Sequence, residues 1–196
     1  MMLRHLRPRR VIEVGSGVST FYALRALEAN RDRDGVTATM TCVEPYPNDK
    51  LRTLVADDHV ELLQSEVQDV AFERFAELGA DDVLFIDSSH VSKRDSDVDH
   101  LFLDVVPRLR KGVVIHVHDI PLPLPAPPPD HPMFDTFLFW NEWAIVRAFL
   151  QFNTAFRILM CQSYLHLHAP EALRLIVPQY DPGRHFPSSL WLRKVV

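Results

Sequence analysis

The fold is decided by residues 11–20, VIEVGSGVST. Apart from Glu13, the run from Val11 to Val14 is apolar and β-branched, which is typical of a buried strand. A Gly-Ser-Gly turn follows this run. Beyond the turn, apolar residues recur at roughly helical spacing, at Phe21, Leu24, Ala26 and Leu27. The stretch therefore predicts a strand, a glycine turn and a helix.

The glycine turn predicts a ligand site. Gly15 and Gly17 let the backbone turn sharply, and without a Cβ they leave room for a ligand. Free N–H groups at the start of the following helix favour polar or anionic groups. Such a turn serves dinucleotide and adenosyl cofactors alike. Thr20 stands where a dinucleotide fingerprint has a third small residue, and Glu13 would repel a pyrophosphate but could hold an ammonium group.

Three later strands deliver polar side chains where they end. The strand TCVEP ends in Glu44, VLFIDSSHV carries Asp87 and His90, and VVIHVHDI carries His118 and Asp119. In an open α/β sheet, ligands bind outside the carboxyl ends of the strands. We therefore expect these side chains at the mouth of one crevice, where the carboxylate of Glu44 can accept both hydrogen bonds of a ribose diol.

These motifs together resemble the class I S-adenosylmethionine-dependent methyltransferases along about the whole chain. Within that family the chain is most similar to the bacterial branch that includes small-molecule and sugar O-methyltransferases. The resemblance implies an α/β fold with a doubly wound, Rossmann-like sheet of seven strands, mostly parallel with an antiparallel last strand. It implies a single domain over residues 1–196, expected to lack the preceding helical segment that helps to cover the active site in relatives.

The resemblance also implies a cofactor, an acceptor and the residues that serve them. The cofactor is S-adenosylmethionine, and the acceptor is the hydroxyl of a small molecule or sugar. The predicted cofactor-binding residues are Glu13, Gly15, Ser16, Gly17, Glu44, Ser65, Val67 and Asp87. The catalytic candidates are His118, His90 and Asp87.

Two hypotheses compete for the end of the fifth strand. In the metal-dependent relatives, positions comparable to Asp87, His118 and Asp119 hold a divalent cation such as Mg²⁺, although a histidine among the ligands departs from the oxygen-rich sets that Mg²⁺ prefers. Alternatively, His118 or His90 is the general base, because an imidazole titrates near neutral pH. His116 shares a strand face with His118 and could bind zinc, but we expect a hydrogen-bonded core histidine.

Composition and charge argue against several other classes of function. The chain has 196 residues, of which 47% are hydrophobic, and a net charge of −5 that gives no basic field for nucleic acid. We find no signal peptide and no apolar stretch that could span a bilayer, and we expect a cytoplasmic protein. A noncatalytic adenosyl-cofactor-binding module stays open as an alternative. An NAD-dependent oxidoreductase is a weaker one, because no Tyr-x-x-x-Lys signature is present.

The second half of the chain is predicted to frame the acceptor opening. Residues 121–132 hold seven prolines and should form an extended lid or surface loop. An apolar helix is expected over residues 134–152, as core or as the face of a homo-oligomer. A strand over residues 156–168, a helix over 170–177 and a last strand over 188–195 complete the prediction.

Several residues are assigned structural roles. We expect Asn48 to cap a helix that runs to about Ala56 and Asp69 to cap another, and we expect Asp81 and Asp82 to lie in a solvated turn. Cys42 and Cys161 lie in apolar runs and are expected to be buried, unpaired thiols.

Overall fold

A single twisted sheet organises the computed structural model, which describes residues 1–57, 59–124 and 138–196. Its strands are β1 Arg10–Val14, β2 Thr39–Val43, β3 Glu61–Leu63, β4 Val83–Ile86, β5 Val114–Val117, β6 Phe156–Cys161 and β7 Leu190–Lys194. They lie side by side in the order β3-β2-β1-β4-β5-β7-β6. Every neighbouring pair from β3 to β5 is parallel, whereas β7 is antiparallel to both β5 and β6. The predicted seven-stranded, mostly parallel sheet with an antiparallel last strand is therefore confirmed.

Helices cover both faces of this sheet. They are α1 Met2–Leu6, α2 Val18–Asp34, α3 Asp49–Ala56, α4 Phe72–Ala76, α5 Asp97–Asp99, α6 Glu142–Leu150, α7 Gln162–His168 and α8 Pro170–Ile176. A π-helical segment, His100–Val105, and a 3-10 turn, Val106–Arg108, continue α5. Apolar residues of α1, α2 and α3 pack on one face, and those of α4, α6 and the π-helical segment pack on the other. Burial on both faces explains why the central strands are mostly apolar, with Glu13 of β1 and His116 of β5 as polar exceptions.

The sheet reverses its winding between β1 and β4. The chain runs outward from β1 through β2 to β3, and it returns to form β4 on the other side of β1. Such a reversal opens a crevice at the carboxyl ends of the two strands. The glycine turn follows β1 and Asp87 follows β4, so both lie at this crevice as the sequence predicted.

Local signals in the sequence agree with the start of α2 and with the capped start of α3, whereas α2 continues through residues 30–34, where the sequence predicts a polar turn. The helix α2 starts directly after Gly17 and ends at Asp34, and the C-cap residue Gly35 has a left-handed φ of 68°. The side chain of Asn48 caps α3, because its Oδ1 accepts the backbone N–H of Leu51 at 2.9 Å. The predicted helix over residues 170–177 and the last strand are also present, as α8 and β7.

The predicted strand over residues 156–168 is wrong in its second half. The strand β6 ends at Cys161, and the chain continues as the helix α7. The buried hydroxyl of Ser163 donates to the carbonyl oxygens of Ile120 and Leu122, in the loop after β5. These contacts turn the chain away from the sheet. The predicted helix over 134–152 is shorter, since α6 begins at Glu142. Residues 134–137, and residues 125–132 of the predicted lid, lie outside the described residues.

The structural roles of two acids also need correction. Asp69 lies in a 3-10 turn, Val67–Asp69, and α4 starts after Ala71 without a side-chain cap. Asp82 is buried rather than solvated, because its carboxylate accepts the backbone N–H groups of Arg9, Arg10 and Gly79 at 2.8–2.9 Å. These hydrogen bonds connect the start of β1 to the residue that directly precedes β4. Asp81, in contrast, is half-exposed and pairs with Arg193 at 2.7 Å.

Both cysteines are free thiols. Cys42 is buried, as predicted, but Cys161 is partly exposed and donates to the carbonyl oxygen of Leu122 at 3.1 Å. Among the helices in the described ranges, none is long and apolar enough to cross a membrane.

Candidate cofactor and acceptor site

The two glycines of the turn differ in what surrounds them. Gly15 has a φ of +81°, and a Cβ built on it would lie 2.7 Å from the carbonyl carbon of Asp87. Its missing side chain therefore lets the ends of β1 and β4 approach each other. Gly17 has an extended φ of −174°, and no atom of the described residues lies within 4 Å of a Cβ built there. Gly17 therefore borders open space that a ligand can fill.

Glu13 braces the turn from below. It is fully buried, and its Oε2 accepts the hydroxyl of Thr20 at 2.5 Å. The same Thr20 oxygen accepts the N–H of Gly17 at 3.1 Å. Burial raises the pKa of the Glu13 carboxyl above its ordinary value, although the hydrogen bond from Thr20 opposes the rise. Glu13 Oε1 is buried and has no hydrogen-bond partner among the described residues, so the expected contact of Glu13 with a ligand ammonium group stays a prediction.

Glu44 stands at the tip of β2 in a fixed orientation. One carboxylate oxygen accepts the N–H of Ser16 at 3.1 Å, and the other accepts the N–H of Tyr46 at 2.8 Å. Each carboxylate oxygen has two acceptor positions, so both remain able to accept a further hydrogen bond. The pair of oxygens thus fits a vicinal diol such as that of a ribose.

Two adjoining clefts meet at these residues. The strand-end cleft has a volume of about 480 Å³ and is lined by residues that follow β1, β2, β3 and β4, among them Val43, Tyr46, Glu66, Val67, Gln68, Ser88 and Asp97. The glycine-turn cleft is lined by Gly15, Ser16, Gly17, Val18, Ser19, Glu44, Asp87 and His118. Gly15, Glu44 and Asp87 line both clefts. The structure thus brings together the predicted cofactor residues except Glu13, which lies beneath the turn, and Ser65, which does not line either cleft among the described residues.

The clefts suit a polar elongated ligand. The hydroxyls of Ser16 and Ser88 are buried and have no hydrogen-bond partner in the part of the chain that the structure describes. An unmade hydrogen bond of this kind costs about 1–3 kcal/mol, which a ligand's polar atoms would offset. Together with the open space at Gly17 and the diol-binding geometry of Glu44, these hydroxyls fit S-adenosylmethionine, the cofactor that the sequence predicted.

Beyond Asp87 the clefts end in a cluster of carboxylates and imidazoles. The Nδ1 of His118 lies 3.4 Å from Asp87 Oδ1 and 3.3 Å from Asp119 Oδ1. The Nε2 of His90 lies 3.5 Å from the same Asp87 oxygen and 4.0 Å from Asp119 Oδ2. The structure therefore brings all four predicted acceptor-side residues into contact distance. The hydroxyl of Ser188 also donates to Asp119, at 2.8 Å.

His90 is held by the buried carboxylate of Glu142, which lies 52 positions later in the sequence and was not predicted as its partner. Its Nδ1 lies 2.7 Å from Oε2 of Glu142, the first residue of α6, which is 2% exposed. The backbone carbonyl of His90 accepts the N–H groups of Asn141 and Glu142. Burial alone would lower the pKa of His90, but the carboxylates of Asp87 and Glu142 raise it to about 10. His90 is therefore an imidazolium at neutral pH and not a ready general base.

His118 is the more accessible of the two imidazoles. Its side chain is 42% exposed and lines the glycine-turn cleft. The carboxylate of Asp119 raises the pKa of His118 above its ordinary value. Burial would raise the pKa of Asp119, but His118 and the Ser188 hydroxyl lower it to about 2, so Asp119 is ionised. His118 can thus accept a proton beside two carboxylates.

The predicted metal triad does not form a metal site as the side chains stand. Over residues 1–57, 59–124 and 138–196, no group of three or more His, Cys, Asp and Glu side chains could hold a metal ion. Imidazole also suits Zn²⁺ and later transition metals better than Mg²⁺. Binding of a cation by Asp87, His118 and Asp119 stays a prediction.

His116 belongs to an aromatic stack rather than to a hydrogen-bonded core. Its ring lies parallel to that of Phe85, with centroids 4.3 Å apart, and to that of Trp191, with centroids 4.0 Å apart. Its Nε2 is buried and finds no hydrogen-bond partner within the described ranges, so the predicted hydrogen bond is wrong. Burial lowers the pKa of His116 well below its ordinary value, and the ring is neutral.

Comparison with known proteins agrees with this arrangement. A family model described as a methyltransferase domain matches residues 12–120, which include the glycine turn and the ends of β2, β4 and β5. An uncharacterised protein of Archaeoglobus fulgidus is 36% identical over 75 residues, which is 38% of this chain. The match spans about a third of that curated relative, 33% of its length.

Solved structures share the fold over nearly the whole chain. CalS11, described as a TDP-rhamnose 3'-O-methyltransferase of calicheamicin biosynthesis, has a TM-score of 0.54 and 12% identity, and the match covers 98% of this chain and 75% of that one. A form of CmcI with Mg and SAM has a TM-score of 0.50 and 16% identity, covering 100% of this chain and 68% of that one. At such identities the likeness shows the fold alone. With the family model matching more than half of the sequence, this chain belongs to the methyltransferase-domain family.

Proposed function

We propose that this protein is an S-adenosylmethionine-dependent methyltransferase that transfers the methyl group to a hydroxyl of a small molecule. The observation that carries the proposal is the pair of clefts that joins the glycine turn and Glu44 to the Asp87, His118 and Asp119 cluster. One end offers the groups that an adenosyl ligand needs, and the other offers a proton acceptor. Two proteins that share the fold add support, one described as an O-methyltransferase and the other solved with Mg and SAM.

In the proposed complex, Glu44 accepts the ribose hydroxyls, and the backbone at Gly17 borders the rest of the cofactor. When bound, S-adenosylmethionine would supply the methyl group on its sulfonium sulfur: the acceptor oxygen would bond to the methyl carbon in line as the carbon–sulfur bond breaks, and S-adenosylhomocysteine would be the leaving group. The acceptor hydroxyl must lose its proton as the new bond forms, and we assign that proton to His118. Asp87 and Asp119 stabilise the imidazolium that results, since both oxygens lie within 3.4 Å of His118 Nδ1.

His90 has a different role in this scheme. As an imidazolium fixed by Glu142, it places a positive charge between Asp87 and Asp119. That charge keeps the two carboxylates close together, which like charges would otherwise resist. Most of the rate enhancement then comes from positioning the acceptor oxygen and the methyl group.

The domain organisation, the cellular location and the partners of the protein are also proposals. We propose that residues 1–196 act as one domain, supported by the single sheet that contains all described strands. A cytoplasmic location is supported by the two free thiols. Bacterial origin, a homo-oligomeric state, the absence of nucleic-acid partners and a Mg²⁺ requirement stay predictions.

The test is calorimetric titration of the purified chain with S-adenosylmethionine, S-adenosylhomocysteine and NAD, each with and without Mg²⁺. We expect both adenosyl ligands to bind and NAD to give no heat. A Mg²⁺ effect that appears only with an acceptor present would support the cation prediction. Binding of NAD alone, or of none of the three, would contradict the proposed function.

A further inference from the structure

A cavity separate from the two clefts lies between the first two helices and the sheet. Its volume is about 300 Å³. Met2 and Leu3 of α1 form one wall, and Ala23 and Ala26 of α2 form another. The cavity opens to solvent beside Tyr22, which is exposed. The neighbouring strands provide its floor.

The floor of this cavity is the aromatic stack. Phe85 of β4 pairs in register with His116 of β5, which pairs in register with Trp191 of β7. The three rings stand on one face of the sheet and stack on one another, with interplanar angles of 12° and 8°. Phe85 and Trp191 are largely buried. The cavity is therefore apolar and aromatic at its base, which suits the body of a ring-bearing ligand.

The cavity connects to the proposed site of methyl transfer. Ser19 and His118 line both this cavity and the glycine-turn cleft. His118 directly follows β5, two residues beyond His116, and the alternation of side chains along a strand puts both rings on the same face of the sheet. A ligand whose body lies on the aromatic stack would thus present its outer end to His118, where the acceptor hydroxyl must be.

The side chains around the cavity favour an uncharged acceptor over a phosphorylated one. Within the described part of the chain, no Lys or Arg lines this cavity or the glycine-turn cleft. Phosphate groups are recognised in proteins by Arg, Lys or backbone N–H clusters. A nucleoside-diphosphate sugar would therefore find no Lys or Arg side chain beside the cavity, where the cationic groups are the Met1 ammonium, which acts on His116, and the imidazole of His118 when it is protonated.

We propose that this cavity binds the methyl acceptor, and that the acceptor is an uncharged, hydroxylated ring compound with an apolar body, such as a phenol. The proposal rests on the proposed function, because it places the acceptor hydroxyl beside His118. It adds the substrate class and the residues of α1, α2, β4, β5 and β7 that select it.

The test measures binding of 2-naphthol to the chain saturated with S-adenosylhomocysteine, by calorimetry, with TDP-glucose as the charged comparator. Ala26→Phe fills the cavity from α2, and Ala148→Phe on the exposed side of α6 is the matched control. We expect 2-naphthol to bind the wild type, to bind Ala26→Phe at least tenfold more weakly and to bind Ala148→Phe within twofold. TDP-glucose should not bind.

Several outcomes would overturn the proposal. They are an unchanged 2-naphthol affinity in Ala26→Phe, no binding to the wild type, or tighter binding of TDP-glucose. A wild-type dimer that Ala26→Phe dissociates would show that a second copy fills the cavity instead. If Ala26→Phe does not fold, Ala23→Phe on the same wall replaces it. Failure of S-adenosylhomocysteine to bind contradicts the proposed function, and the 2-naphthol titration of the chain alone still decides the cavity.

Discussion

The two glycines of the turn should respond in opposite ways to the same substitution. Gly15→Ala adds a Cβ that overlaps the backbone of Asp87 at a left-handed φ of +81°. Gly17→Ala adds the same group in open space at an extended φ. The first change should therefore act on the fold, and the second should act on the bound ligand.

The size of the first effect follows from two terms. A non-glycine residue in the left-handed region costs roughly 1–2 kcal/mol, and overpacking that forces the backbone apart costs roughly 1–3 kcal/mol. The free energy of unfolding should therefore fall by roughly 2–5 kcal/mol. For a chain of this length, each kcal/mol lowers Tm by about 2–4 °C, so Gly15→Ala should lose roughly 4–20 °C.

Thermal melting followed by circular dichroism, combined with calorimetric titration of S-adenosylhomocysteine, separates the two effects. We expect Gly17→Ala to melt close to the wild type and to bind the ligand at least tenfold more weakly. Each glycine serves as the control for the other. Equal losses of Tm in both variants, or an unchanged Tm in Gly15→Ala, would refute the assignment of a structural role to Gly15 and an open ligand position to Gly17.

Three further predictions concern buried charges. Glu142→Gln removes the charged partner of His90, so the pKa of His90, followed by NMR titration, should fall from about 10 by at least about one unit. An unchanged midpoint of the His90 titration would contradict the pairing of His90 with Glu142. Because the folded pKa of His90 exceeds the ordinary 6.5, its stabilisation is complete below pH 6.5 and is lost as the pH rises through about 10. Urea unfolding should show a steeper loss of stability across that window for the wild type than for His90→Asn, and equal slopes would count against the raised pKa. Asp82→Asn loses one oxygen acceptor and the charge that faces Arg10, and it should lower the free energy of unfolding by about 1–3 kcal/mol in denaturant titrations, an effect that Asp81→Asn should not reproduce.

The sequence predicted those parts of the fold that depend on residues close together in the chain. The strand, turn and helix around Gly15 depend on residues that are neighbours in the chain, and the cap at Asn48 lies three residues from its partner. The meeting of Asp87 and His118 followed from one general rule, that parallel strands end at the same edge of a sheet.

What the sequence could not supply depends on tertiary contacts. His90 and Glu142 are separated by 52 positions, and their pairing requires α6 to dock on the loop after β4. The stack of Phe85, His116 and Trp191 depends on the register of β7, which is the last strand in the sequence. Likewise, the burial of Asp82 follows from backbone N–H groups more than 70 positions earlier.

The central claim is that Glu44 and the glycine turn bind an adenosyl cofactor. The most direct measurement is the calorimetric affinity of S-adenosylhomocysteine for the wild type, for Glu44→Ala and for Glu28→Ala, which removes a carboxylate from the exposed part of α2. We predict that the wild type and Glu28→Ala bind alike and that Glu44→Ala shows no measurable binding while its circular dichroism spectrum is unchanged. Equal affinities of all three proteins, or no binding to the wild type, would contradict the claim.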